Sequence, residues 1–315
     1  MPGRVVTVGE TMALLRTRDI GTLQHLNDLA VGIGGAESNV AIGLRRLGVD
    51  VSWLGAVGDD RLGRRVLREL RGEDLDVRAR IIADAPTGIM IKERPTAAST
   101  AVSYYRAGSA GSRISAGDIP SVWVEEADLL HLTGITPLLS ETARMCVQEL
   151  CTRARAAGTR VSFDINYRSA LAEAAAARPV LLELAEGADI VFGGEDEFAL
   201  LAADGDGEAM AGVLAASGRE VVIKRGPAGA SALVDGARID APGFTVDVID
   251  TVGAGDAFVA GYLAAYLAGH RVAERLEYAN ATGAIMCMSP GDWEGAPTLA
   301  EIADFLTPTG DPVSR

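Results

Sequence analysis

Residues 250–258 read Asp250-Thr251-Val252-Gly253-Ala254-Gly255-Asp256-Ala257-Phe258, and their types and spacing could move a phosphoryl group. The apolar-rich run at 245–249 reads as a strand. Residues 258–268 follow as a helix of Phe, Tyr and Leu among alanines, stopped by Gly269. A glycine-rich turn between the two points several backbone N–H groups at the positive end of a helix dipole, which makes an anion site. Gly253 and Gly255 let a phosphate approach with no Cβ in the way. Asp256 is the odd member, because a carboxylate beside an anion site repels the anion unless it has its own task. A fitting task is that of general base, taking a proton from a hydroxyl as its oxygen attacks a phosphate held by the turn. The same glycines alone also suit a plain tight connection before a helix.

Other phosphate chemistries find no support. A P-loop requires a lysine after its second glycine, and the two lysines, Lys92 and Lys224, stand in no such setting. The dinucleotide fingerprint requires a third glycine where Phe258 stands. A formal charge of −14 argues against nucleic acid as a partner. It also means that an anionic substrate needs arginines placed at its site. Cys146, Cys151 and Cys287 show neither metal-ligand spacing nor a disulfide framework. No apolar run spans a bilayer and no signal peptide is seen, so no membrane is involved and a cytoplasmic protein is expected.

The elements that must position these residues form two rhythms. From residue 127 onward apolar strands (129–132, 160–165, 190–192, 220–224) alternate with helices (140–157, 179–186, 195–201, 208–216). Residues 4–8 and 51–57 add strands, 40–47 and 62–70 add helices, and 272–288 and 299–306 close the chain with helices. This predicts an α/β fold, a doubly wound, mostly parallel sheet with helices on both faces. Ligands in such sheets sit outside the carboxyl ends of the strands. Strands at 12–16, 26–31, 87–92 and 101–106 fall outside that rhythm, having no helices between them. They predict a small antiparallel β lid made from 11–34 and 84–112, or two hairpins decorating the main domain. The α/β domain then takes 1–10, 35–83 and 113–308, leaving 309–315 as a tail frayed after Pro308.

The nine-residue stretch resembles the Asp-Thr-x-Gly-Ala-Gly-Asp signature of the ribokinase-like (phosphofructokinase-B) carbohydrate kinases, with every fixed position matched. The resemblance makes Asp256 the catalytic base and the Gly253, Ala254 and Gly255 amides the anion hole. Gly34-Gly35-Ala36-Glu37-Ser38-Asn39 resembles the second family signature, whose glycine backbone and Asn meet the sugar, here Gly34 and Asn39. Tyr104-Tyr105-Arg106-Ala107-Gly108-Ser109-Ala110 and Asp164-Ile165-Asn166-Tyr167-Arg168 are similar to segments of the 2-keto-3-deoxygluconate kinases within that family. There Arg106 and Arg168 would grip a sugar-acid carboxylate through paired hydrogen bonds, with Tyr104 beside the substrate and Asp292 as a further contact. Met90 stands where many members carry a tyrosine.

On the nucleotide side the resemblance implies ATP and Mg2+, with Asn166, Lys224, Gly226 and Asn280 near the nucleotide. Glu197 matches the Glu of an Asn-x-x-Glu element that positions magnesium through water, although Gly194 replaces its Asn. Asp250 would anchor a potassium ion of the kind family members often bind. The resemblance also implies a homo-oligomer, a dimer through the lid or something larger. The expectation is therefore an ATP-dependent kinase of a small sugar acid. A neutral-sugar kinase of fructokinase or ribokinase type, or a sensor that binds without turnover, stands as the alternative.

Overall fold

The computed structural model describes residues 3–96 and 99–307. In chain order the elements begin with β1 (Arg4–Val8), β2 (Met12–Thr17), β3 (Leu29–Gly34), α1 (Ala36–Arg46), β4 (Asp50–Gly58), α2 (Arg61–Gly72), β5 (Asp76–Ile82), β6 (Ile89–Thr96) and β7 (Ser99–Tyr105). They continue with α3 (Val122–Glu125), β8 (Leu129–Thr133), α4 (Glu141–Ala157), β9 (Arg160–Asp164), α5 (Ala174–Gly187), β10 (Ile190–Gly194), α6 (Glu195–Leu201) and α7 (Gly207–Ala216). The last are β11 (Glu220–Lys224), β12 (Ala230–Val234), β13 (Ala237–Ala241), α8 (Ala254–Leu267), α9 (Val272–Cys287) and α10 (Leu299–Leu306).

Nine strands make one sheet in the order β13-β12-β11-β10-β9-β8-β1-β4-β5. Its pairs are parallel from β11 through to β5, and β12 and β13 add an antiparallel edge. The parallel strands inside the sheet, from β11 to β4, are buried on both faces, so they read as near-continuous apolar runs. Val40, Ile42, Leu44, Val259, Leu263 and Leu276 pack one face, where Trp53 and Tyr262 are fully buried. Val147, Leu150, Leu181, Leu184, Phe198 and Leu214 cover the other. β1 lies between β8 and β4, so the chain builds outward in two directions from β1. The carboxyl ends on either side of that reversal open a crevice.

A separate four-stranded sheet has the order β3-β2-β6-β7. The expectation of an antiparallel sheet needs correction at its centre, where β2 and β6 run parallel, Ala13 opposite Ile89. Between β3 and β6 the chain passes through α1, β4, α2 and β5, and that long crossover returns it in the direction of β2. The strand expected at 245–249 is also absent, since residues 242–249 carry no regular element. β13 ends at Ala241, and the following Pro242 and Gly243 break the extension. Val248 is left 59% exposed, and the segment is fastened by the Ile249 amide donating to the Cys287 carbonyl at 2.8 Å. The tail expected after Pro308 lies outside the described residues.

Candidate active site

α8 begins inside the glycine-rich stretch. Gly253 caps it with φ 79°. A Cβ at Gly253 would lie 2.0 Å from the Asp292 carbonyl oxygen, so both conformation and space require glycine there. Ala254, Gly255 and Asp256 form the first turn, whose N–H groups lack helical partners. The Ala254 amide instead donates to the Thr251 carbonyl at 3.3 Å. Among the described residues the Gly253, Gly255 and Asp256 amides have no such partner, so the open cradle is offset from the three amides expected.

Asp256 is 9% exposed. Burial pushes its carboxyl up to about 7, opposed by a hydrogen bond from Asn39 and the charges of Arg168 and Lys224. Asn39 Nδ2 donates to Asp256 Oδ2 at 2.8 Å, joining the two sequence motifs across 217 residues. A carboxyl so placed can accept a proton near neutral pH. Lys224 ends β11 and donates to both Asp164 oxygens, at 2.7 and 2.8 Å. Burial alone would lower its ammonium, yet the charges of Asp164 and Glu197 hold it above the ordinary lysine value. Asp164 was visible in the sequence only as part of a motif, and its partnership with Lys224 is new.

A cavity of about 440 Å³ opens beside the cradle, lined by Lys224, Gly226, Ala254, Gly255, Phe258 and Asn280 among others. It is walled mainly by glycines and apolar side chains, as a flat heterocycle requires. Asn280 Nδ2 donates to the Pro242 carbonyl at 3.0 Å, so it fastens the segment that roofs the cavity. Asn166, expected on the nucleotide side, does not line this cavity. It is buried just beyond β9 with φ 37°. Glu197 caps α6, accepting the Tyr167 and Gly194 amides at 2.8 Å each. Burial raises its carboxyl, against the pull of Lys224.

On the other side of Asp256, the β1 and small-sheet strands frame a second region. Arg106 is not a free guanidinium. Its Nη2 and Nε lie 2.6 and 2.8 Å from Glu10 Oε2, and Glu10 also accepts from the Ser109 hydroxyl. Glu10 follows β1 and is 2% exposed; a carboxylate at a strand's carboxyl end was the signal that sequence reasoning passed over. Tyr104 lies beside Arg106, its ring centroid 5.6 Å from Cζ, and pairs across the strands with Met90. Arg168, by contrast, is exposed and has no side-chain partner among the described residues, although its charge reaches Asp256. A Cβ on Gly34 would fall 2.2 Å from Met90 Cε and 2.8 Å from Asp292 Oδ2, which places Asp292 at the second motif.

Asp292 and Asp250 are joined by a residue to which sequence gave no role. Lys92 Nζ lies 2.6 Å from Asp250 Oδ2 and 2.9 Å from Asp292 Oδ1. Asp250 Oδ1 meanwhile accepts the Val252 amide at 3.1 Å, and Oδ2 also accepts from Gly291 at 3.3 Å. The carboxylate expected to anchor potassium thus already pairs with the Lys92 ammonium. A metal cation there would share its carboxylate with an ammonium. Among the described residues no three His, Cys, Asp or Glu side chains converge as direct metal ligands.

Residues 3–299 match the model of the pfkB family carbohydrate kinases. The chain belongs to that family. The 2-dehydro-3-deoxygluconokinase of Bacillus subtilis (strain 168) is 36% identical to it, over 96% of this chain and 95% of that one. The 2-dehydro-3-deoxygalactonokinase of Haloferax volcanii is 37% identical, over 93% of each. Among solved structures, an Escherichia coli protein described as a ribokinase II by similarity, in complex with ATP and Mg2+, superposes with a TM-score of 0.89 at 26% identity, covering 96% of this chain and 99% of that one. The fold is thus ribokinase-like and the protein a carbohydrate kinase. Among the described residues, no helix is long and apolar enough to cross a membrane.

Proposed function

We propose that this protein is an ATP-dependent sugar-acid kinase that phosphorylates the primary hydroxyl of 2-keto-3-deoxygluconate, giving the 6-phosphate. The observation that carries the reading is Asp256, a carboxyl raised to about 7 in the first turn of α8, beside unpartnered amides and hydrogen-bonded to Asn39. Asp256 takes the hydroxyl proton as the oxygen bonds to the γ-phosphorus, and the bond from that phosphorus to the leaving ADP oxygen breaks. The amides of Gly253 and Gly255 donate to the phosphoryl oxygens where charge builds. Asp164 steers the Lys224 ammonium, which offsets phosphate charge at the mouth of the cavity. Gly226 and Asn280 shape the nucleotide cleft.

Magnesium suits this corner of the site. Glu197 and Asp164 supply hard oxygen donors within each other's field, and Mg2+ keeps most of its water. When bound, it would supply positive charge that offsets the charge of the phosphates. Glu197, and Asp164 with it, would hold that shell through water, and each Glu197 oxygen keeps a lone pair beyond its amide bond.

Arg168 and Arg106 support an acidic substrate, with Tyr104 and Asp292 at its flanks, and both relatives named above phosphorylate a sugar acid by their names. The Arg106–Glu10 ion pair favours a second reading, a neutral-sugar kinase, since a guanidinium already paired has less to offer a carboxylate. ADP release measured with 2-keto-3-deoxygluconate, its galactonate epimer, fructose and ribose decides between them. The proposal predicts the highest kcat/KM for the gluconate-derived acid; a preference for fructose overturns it, and tight binding without turnover would mark a sensor. Oligomer contact through the small sheet is part of the same proposal. β7 exposes Tyr104 and Tyr105 by 40% and 65%, and removing it should shift the protein to a smaller species on sizing.

A further inference from the structure

Lys92 is 3% exposed, on β6 of the small sheet. Its two carboxylate partners come from distant parts of the chain and frame the cradle from either side. Asp250 precedes the glycine-rich turn and holds the Val252 amide with its other oxygen. Asp292 follows α9, and its carbonyl oxygen lies 2.0 Å from where a Cβ of Gly253 would be. The position of Asp292 therefore fixes the path of Gly253, whose amide opens the cradle. Two like charges this close repel strongly in a dry site unless a cation stands between them. Glu294 adds to the negative field, and its own partner Arg16 lies 3.9 Å away.

We propose that Lys92 is a built-in monovalent cation, a positioning residue that binds Asp250 to Asp292 so that the cradle is held without an exchangeable ion. The ammonium occupies the carboxylate at which a potassium ion would otherwise be anchored. The small sheet thereby carries a charge on which the geometry of the cradle depends. Arginine in its place would keep the charge but not the compact shape. The inference rests on the kinase reading above only for its rate measurements.

The test uses the full chain with ATP as a tetramethylammonium salt, at matched ionic strength. The parent's rate in tetramethylammonium chloride should lie within about twofold of that in potassium chloride, the difference left by screening alone. Lys92→Met should lose about 100-fold in tetramethylammonium, as expected for a cradle displaced by about an ångström. It should regain rate saturably with potassium, and less with lithium. Melting curves give a readout free of substrate: potassium should raise the Tm of Lys92→Met and leave the parent's unchanged. If no sugar or sugar acid is turned over, the kinase reading fails and the melting arm still decides. Saturable potassium activation of the parent overturns the proposal, and needs no variant to be folded. So does a folded Lys92→Met that keeps the parent's rate in tetramethylammonium, or that gains neither rate nor Tm from potassium.

Discussion

Replacing Asn39 with leucine removes the side-chain hydrogen bond that Asp256 accepts at 2.8 Å. That bond favours the charged carboxylate, so its loss must raise a carboxyl already pushed up to about 7. A hydrogen bond to a charged group contributes roughly 1.5–3 kcal/mol, which is about one to two pH units at ~1.36 kcal/mol each. A base works when ionised, so activity rises with pH through its pKa, and raising the pKa moves that limb toward alkali. The limb of kcat/KM should shift from about 7 to about 8–9, leaving roughly 1–10% of Asp256 ionised at neutral pH. The assay is a pH profile of kcat/KM for the sugar acid, at saturating ATP, for parent and variant. Above the shifted limb the variant should recover most of its rate. A limb that stays in place or moves toward acid refutes the reasoning. A deficit equal at every pH would reduce Asn39 to a substrate contact.

Arg106→Met should raise KM for the sugar acid about 10- to 100-fold while leaving that for a neutral sugar nearly unchanged. A uniform loss on both would instead make Arg106 a structural partner of Glu10, which steady-state kinetics on the two substrates would reveal. Stability carries a second signature of Asp256. Its folded carboxyl lies at about 7 against 3.8 when free, so the fold binds its proton more tightly and loses stability as pH rises from about 4 to about 7. Three units correspond to about 4 kcal/mol as an upper bound. Denaturation of Asp256→Asn should therefore show a gain over the parent above neutral pH that vanishes below pH ~4; a gain independent of pH would contradict the shifted carboxyl.

Much of the site was legible because its motifs are local. The glycines, Asp256 and Asn39 announce a turn, a helix start and a polar contact within a few residues each. The partnerships are not local. Glu10 holds Arg106 and Lys92 holds Asp250 only because two sheets meet, and the sequence carries no periodic signal for that. The strand rhythm from β8 to β11 was plain because parallel strands buried on both faces are continuously apolar. β5 escaped notice: Arg78, half-buried, and Arg80, exposed, interrupt the apolar run of this edge strand. Residues 245–249 have a strand's composition but do not join the open edge of β13, because the chain leaves it at Pro242 and the Ile249 amide is taken by the Cys287 carbonyl at the end of α9. Composition proposes a strand, and only backbone pairing with a neighbour makes one.

The most direct test is the turnover of Asp256→Asn, which keeps the size of the side chain and its contact with Asn39 but cannot accept the proton. With the variant shown to be folded by its melting curve, single-turnover transfer to the sugar acid should fall about 10²–10⁴-fold, and the limb near pH 7 should disappear. A folded variant that transfers phosphate at the parent's rate, with the limb still in place, would contradict the assignment of Asp256 as the base.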